Sequence, residues 1–229
     1  MGESTNGLMR IRNHLANPSK KELNKISIIG SSQFNKSATL DIESKLIQYI
    51  QAEGSFKLLN GNGGHTLHNY YQRDLYEKIF TEIWIKLLEK KLVSKTLEEV
   101  ENSNLFKYSP YKSLNADQYN SILKIIEALT SDTESTVMVD GAAGTGKTVL
   151  ATYLIKLLVS DFSEDEDSLY NEDAIREITV LKKFKEKYPT PRIGFVIAMT
   201  SLRETMEKVF HSVPGLRKSM VISPSETFQ

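Results

Sequence analysis

The chain has 229 residues, 29 basic against 29 acidic side chains, and no cysteine. That length holds one large or two small cored domains, and the lack of cysteine excludes disulfides, thiolate metal sites and a cysteine nucleophile. The balanced charge provides no global field for nucleic acid, so any such site must be a local patch.

The opening stretch MGESTNGLMRIRNHLANPSKK lacks the apolar core of a signal peptide. No run of about 18 apolar residues occurs, so no membrane span is expected and the expected location is cytoplasmic. ISIIG at 26–30 is a short apolar run ending in glycine and predicts a strand. Residues 39–54 place Leu40, Glu43, Leu46, Ile47 and Ile50 at helical spacing, with Gly54 as the stop. LLNGNGG at 58–64 is a turn cluster. His65 and His68 stand three apart beyond it and read as turn and helix residues rather than a metal pair. A long helix is predicted from Asn69 to Leu92, its apolar side marked by Leu75, Ile79, Ile83, Trp84, Leu87 and Leu88. Residues 93–114 lose periodicity and contain Pro110, which predicts a linker.

A new helix at 114–129 opens the C-terminal half, with Asn115 and Gln118 at the spacing of a capping box. A buried strand is predicted at 136–140, then a glycine-rich turn, then a helix to 159. Residues 161–173 carry Asp161, Glu164, Asp165, Glu166, Asp167, Glu172 and Asp173 with no base, the composition of a solvated acidic loop. IGFVIAMT at 193–200 predicts a second buried strand and 201–211 a helix. There is no internal repeat.

Gly141, Gly146, Lys147 and Thr148 satisfy G-x-x-x-x-G-K-T, the phosphate-binding or Walker A pattern. Gly144 and Thr145 lie inside it. Glycines let the backbone wrap a phosphate with several N–H groups pointing inward, and a helix N-terminus adds partial positive charge. Lys147 would reach the β- and γ-phosphates of ATP, and the Thr148 hydroxyl would ligate Mg²⁺.

LNADQYNSI at 114–122, GAAGTGKTVLA at 141–151 and a strand leading into TSLRETMEKVF at 200–210 together resemble the start of a superfamily 1 helicase motor. The nearest likeness is to the Schlafen-group-3-like DNA/RNA helicase domain, over residues 112–229. That resemblance implies an adenine-reading glutamine at Gln118, a role compatible with the capping box. It implies also that Thr200, Ser201 and Arg203 hold the phosphates of single-stranded nucleic acid, although a plain helix cap explains Thr200 or Ser201 equally well. Such a motor needs an acidic pair on a later strand and arginines from a second lobe. Between Thr148 and Gln229 no apolar run ends in an Asp-Glu pair, and the chain stops at VISPSETFQ, where the family continues into its Walker B strand. The expectation is nucleotide binding without hydrolysis or unwinding by this chain alone.

GESTNGLMRIRNHL at 2–15, with DIESKLIQYI at 41–50 and LLNGNGG later, resembles the GIY-YIG nuclease domain over residues 2–64. The resemblance puts Gly2 at the last glycine of the family's tripeptide, matches Arg10 and His14 to its arginine and histidine, and carries over Asn60. It implies that Arg10 stabilises a pentavalent phosphate and Glu43 holds one divalent cation. The family's first strand would lie before Met1, so cutting activity is not expected.

The whole reading is an α/β protein in three parts. Residues 1–68 form a truncated GIY-YIG-like α/β domain, 69–111 a helical connector and linker, and 112–229 an incomplete P-loop (RecA-like) parallel-sheet lobe. Expected partners are ATP with Mg²⁺, DNA or RNA, and the remainder of the motor, with no membrane. The competing expectation is a non-enzymatic module that holds nucleic acid through Arg10, Arg203 and the basic stretch LKKFKEKYPTPR at 181–192, or pairs with a protein. A third is the inert product of a truncated gene.

Overall fold

The computed structural model describes residues 4, 7–16, 23, 25–56, 58, 73–111, 114–131, 136–160 and 172–227. Over these residues the chain is mostly helical with one small parallel sheet, an arrangement compatible with an α/β fold.

Helix α1 spans Gly7–Ala16 and α2 spans Lys36–Glu53. The start of α2 lies three residues before the periodic pattern begins. The Asn35 side chain accepts from the Ala38 N–H at 2.9 Å and so caps the extra turn. Gly54 closes α2 in the left-handed region, with φ of 90°. Helix α3, Arg73–Glu89, ends differently. Lys91 adopts φ of 54°, the Lys91 N–H donates to Leu88 O and the Leu92 N–H to Leu87 O, a Schellman closure with lysine in the glycine position.

The stretch read as a linker is folded. Helix α4, Leu97–Asn102, is capped by Thr96 and Glu99 in a reciprocal box, and α5, Asn104–Lys107, is capped by Ser103. Val100 and Tyr111 in this stretch are buried. Helices this short carry too few turns for periodicity to register, and the T-x-x-E spacing of Thr96 and Glu99 was the signal available.

Helices α6 (Ala116–Thr130), α7 (Lys147–Val159) and α9 (Thr200–Ser212) match their predicted spans closely. Helix α8, Glu172–Lys187, overlaps the end of the stretch read as acidic loop (161–173) and the start of the basic stretch (181–192), and includes 174–180, where no element was predicted. Three of its four acids, Glu172, Asp173 and Glu177, lie toward the N-terminal end and its lysines toward the other, the order a helix dipole favours. The remaining acids, 161–167, lie outside the described residues.

Strands are where the expectations need correcting. Residues 26–30 and 136–140 form no strand, and no backbone ladder reaches either run among the described residues. An apolar run becomes a strand only when a neighbour takes its N–H and C=O groups. Val137, Met138 and Val139 are accordingly exposed, Met138 at 90%. The one sheet among the described residues pairs β1 (Phe195–Val196) with β2 (Val221–Ile222), parallel, with Phe195 opposite Val221. The run expected at 193–200 thus contributes two residues of strand, because α9 already begins at Thr200.

Two cores result. The first draws Leu46 and Ile47 of α2, Phe80 and Trp84 of α3, Val100 of α4, and Met206 and Phe210 of α9 together. Tyr49 stands among its aromatics, 4.7 to 5.7 Å in ring separation from Phe80, Trp84 and Phe106. The second joins Ile122 and Ile126 of α6, Leu157 and Leu158 of α7, and Leu181 and Phe184 of α8. Helix α7 serves both, since its Ile155 belongs to the first core. All three sequence segments, 1–68, 69–111 and 112–229, contribute to that first core.

Candidate nucleotide site

The glycine turn sits directly before α7, whose N-terminal position is Gly146 at φ of 86°. Gly144 also has positive φ, 80°. Left-handed residues at such spacing turn successive N–H groups toward one side, the concavity that receives anions. A side chain at Gly141 would meet Thr145 Oγ1 at 2.8 Å, and one at Gly146 would meet Gln118 Nε2 at 2.9 Å. A side chain at either position would displace one of these neighbouring side chains, and at Gly144 and Gly146 the backbone conformation itself favours glycine.

Lys147 crosses the turn. Its Nζ donates to Gly141 O at 2.6 Å and to Ala142 O at 2.8 Å, tying the end of the loop to its beginning. Thr145 Oγ1 donates to the same Ala142 carbonyl at 2.9 Å. The Thr148 hydroxyl has no hydrogen-bond partner among the described residues, and its carbonyl accepts from Thr152 Oγ1 at 2.8 Å. Asp140 was not singled out from sequence. Its Oδ1 accepts from the Gly141 N–H at 2.7 Å, which places a carboxylate at the loop entrance and removes one donor from it. An aspartate directly before glycine is the sequence signal for this local bond.

Gln118 bridges two elements. Its Oε1 accepts from the Asn115 N–H at 3.1 Å, while the Gln118 N–H donates to Asn115 Oδ1 at 2.8 Å, completing the expected capping box. Its Nε2 donates to Thr145 O at 3.0 Å inside the glycine turn.

At the start of α9 the capping position is Met199, so neither Thr200 nor Ser201 caps the helix. Arg203 is half-buried and turned inward, its Nη1 donating to Ile197 O at 3.0 Å and its Nη2 reaching Thr200 Oγ1 at 3.5 Å. The basic end of α8 is also committed. Lys185 donates to Ser160 O and Lys187 to Ser131 O, so these lysines close the C-terminal ends of α7 and α6.

The nuclease-like residues do not form a describable site. Arg10 and His14 lie on α1, and their side chains are outside the described residues, as are Gly2, Asn60, His65 and His68 altogether. Glu43 is half-buried on α2 and already engaged in a polar interaction. Among the described residues no group of three or more histidine, aspartate or glutamate side chains converges to hold a metal.

A cavity of about 460 Å³ lies along α7, between Leu154, Leu158, Phe184, Tyr188 and Ile193. It shares no residue with the glycine turn and its walls are mainly apolar, so it is not where a triphosphate would sit. No helix among the described residues is long and apolar enough to cross a membrane. No family model matches the chain, and no curated protein or solved structure matches it.

Proposed function

We propose that this chain binds the polyphosphate of a nucleoside triphosphate, ATP with Mg²⁺, at the turn Gly141–Thr148. The observation that carries the reading is the Lys147 bridge. A glycine turn closed on itself by its own lysine, with left-handed Gly144 and Gly146 and an uncapped helix behind it, is organised before any ligand arrives. Preorganisation of that kind lowers the ordering cost of binding. Thr148, whose hydroxyl has no hydrogen-bond partner among the described residues, supplies the group for the metal that accompanies the phosphates.

The parent activity proposed on the sequence resemblance is ATP-driven movement on DNA or RNA, in a P-loop lobe accompanied by a GIY-YIG-like region. Hydrolysis by these residues is not part of the proposal, because between Thr148 and Gln229 no apolar run ends in the Asp-Glu pair it needs. For the binding-module reading, Arg203 of α9 and Lys185 and Lys187 of α8 donate to backbone carbonyls and no pattern of the phosphate-binding kind joins them, so no specific observation favours it.

Calorimetric titration with Mg-ATP tests the reading, with Lys147→Ala and Thr148→Ala alongside. Micromolar binding in the wild type, weakened tenfold or more in Lys147→Ala and several-fold in Thr148→Ala, is expected. A cooperatively folded wild type that takes up no nucleotide would sink it.

A further inference from the structure

The bonds of Gln118 bear on which part of a nucleotide this site reads. The orientation of its carboxamide is unambiguous, because the Thr145 carbonyl can only accept and the Asn115 N–H can only donate. Both ends of the amide are therefore tethered, one to the start of α6 and one to the phosphate turn. Its Nε2 also lies where a side chain on Gly146 would have to go, so the amide is seated against the backbone of the turn itself.

We infer that Gln118 is a strut that positions the phosphate turn through the Thr145 carbonyl, and that the site consequently takes nucleoside triphosphates with little regard to their base. This rests on the nucleotide reading above and adds to it the class of ligand. Reading adenine with a carboxamide requires the oxygen and the nitrogen to face the base together, one accepting and one donating. Here that would break two hydrogen bonds to make two, leaving no net gain with which to favour adenine over guanine. Helix α6 holds the amide in place, because the same residue completes its capping box. Gln118 is thus a positioning residue, acting on the phosphates through the loop.

The experiment measures affinities of Mg-ATP, Mg-GTP and Mg-tripolyphosphate for the wild type and for Gln118→Met, which keeps the side-chain length and removes both tethers. Each protein's melting temperature is recorded, and titrations are run well below it. ATP and GTP binding to the wild type within about threefold of each other is expected. In Gln118→Met all three ligands should weaken by a common factor of about three to ten, the loss that one neutral hydrogen bond represents. A tenfold or greater wild-type preference for ATP would overturn the inference. So would selective loss of ATP in the variant, or a lower melting temperature with all affinities unchanged, which marks a helix cap and nothing more. If the wild type binds none of the three, the nucleotide reading itself falls, a result distinct from any of these. Should Gln118→Met not fold, the wild-type ATP to GTP ratio decides alone.

Discussion

Glu53 shows how much one side chain can hold together. It is 2% exposed, and its carboxylate accepts from the N–H and hydroxyl of Ser94 at 2.9 and 2.6 Å and from those of Ser55, both at 2.8 Å. Burial alone would raise its pKa, but the bonds from Ser94 and Ser55 outweigh that and hold it at about 2. A carboxyl depressed on folding contributes stability above its unfolded value of 4.5 and loses it as pH falls from there toward 2. The contribution at neutral pH is on the order of 3 kcal/mol. Glu53→Gln should remove it, and thermal melts across that acid range should then show a shallower fall than in the wild type. Equal acid slopes in the two proteins would rule the account out. Nothing in the pattern of residues 39–54 marks Glu53 as special, because half of its bonds come from Ser94 on a distant part of the chain. By contrast Asn115 with Gln118, and Gly141 through Thr148, were legible at once, since their partners are sequence neighbours.

At the scale of elements, the helices predicted from repeating apolar positions were found near their expected bounds, whereas α8, more than four turns long, was not predicted. The predicted 114–129 and 201–211 fall within two residues of α6 and α9. The helix expected from Asn69 to Leu92 is observed as Arg73–Glu89, with residues 69–72 outside the described ones. Its C-terminal closure carries a testable flaw. Lys91 holds a left-handed conformation that disfavours any residue with a Cβ, and it is exposed, with no packing to lose. Lys91→Gly should stabilise the protein by about 0.5 to 1 kcal/mol, the strain relieved less the extra freedom of glycine in the unfolded chain. A denaturant midpoint that falls or stays put would contradict this. The apolar runs at 26–30 and 136–140 failed as strands for a reason no local pattern contains, since a ladder requires a partner from elsewhere.

For the whole molecule, the decisive feature is α7. Its Ile155 packs in the core that holds Trp84, and its Leu157 and Leu158 pack with Leu181. The buried Lys156 adds a bond to Pro214 O at 2.9 Å, tying the helix to the segment beyond α9. The glycine turn is therefore mounted on the helix that, among the described residues, both cores share. Trp84 is the sole tryptophan and reports the first core. Leu181→Ala, in the second core, removes a side chain only 1% exposed and should cost about 2 to 5 kcal/mol. Because α7 couples the cores, the Trp84 fluorescence transition should shift along with the far-ultraviolet circular dichroism. A fluorescence midpoint left in place while the helical signal moves would show that the cores unfold separately.

By itself the sequence determined the helices with repeating apolar faces, the caps built from neighbouring residues, and the glycine turn, because each depends on contacts within a few positions. Only the tertiary structure decided that residues 97–107 belong to a core, that Lys185 and Lys187 close two helices, and that Gln118 reaches Thr145 across 27 positions. It also decided which apolar runs found a partner strand. These outcomes turn on groups far apart in the chain competing for the same hydrogen bonds and the same buried space, and that competition is resolved only when the chain is folded.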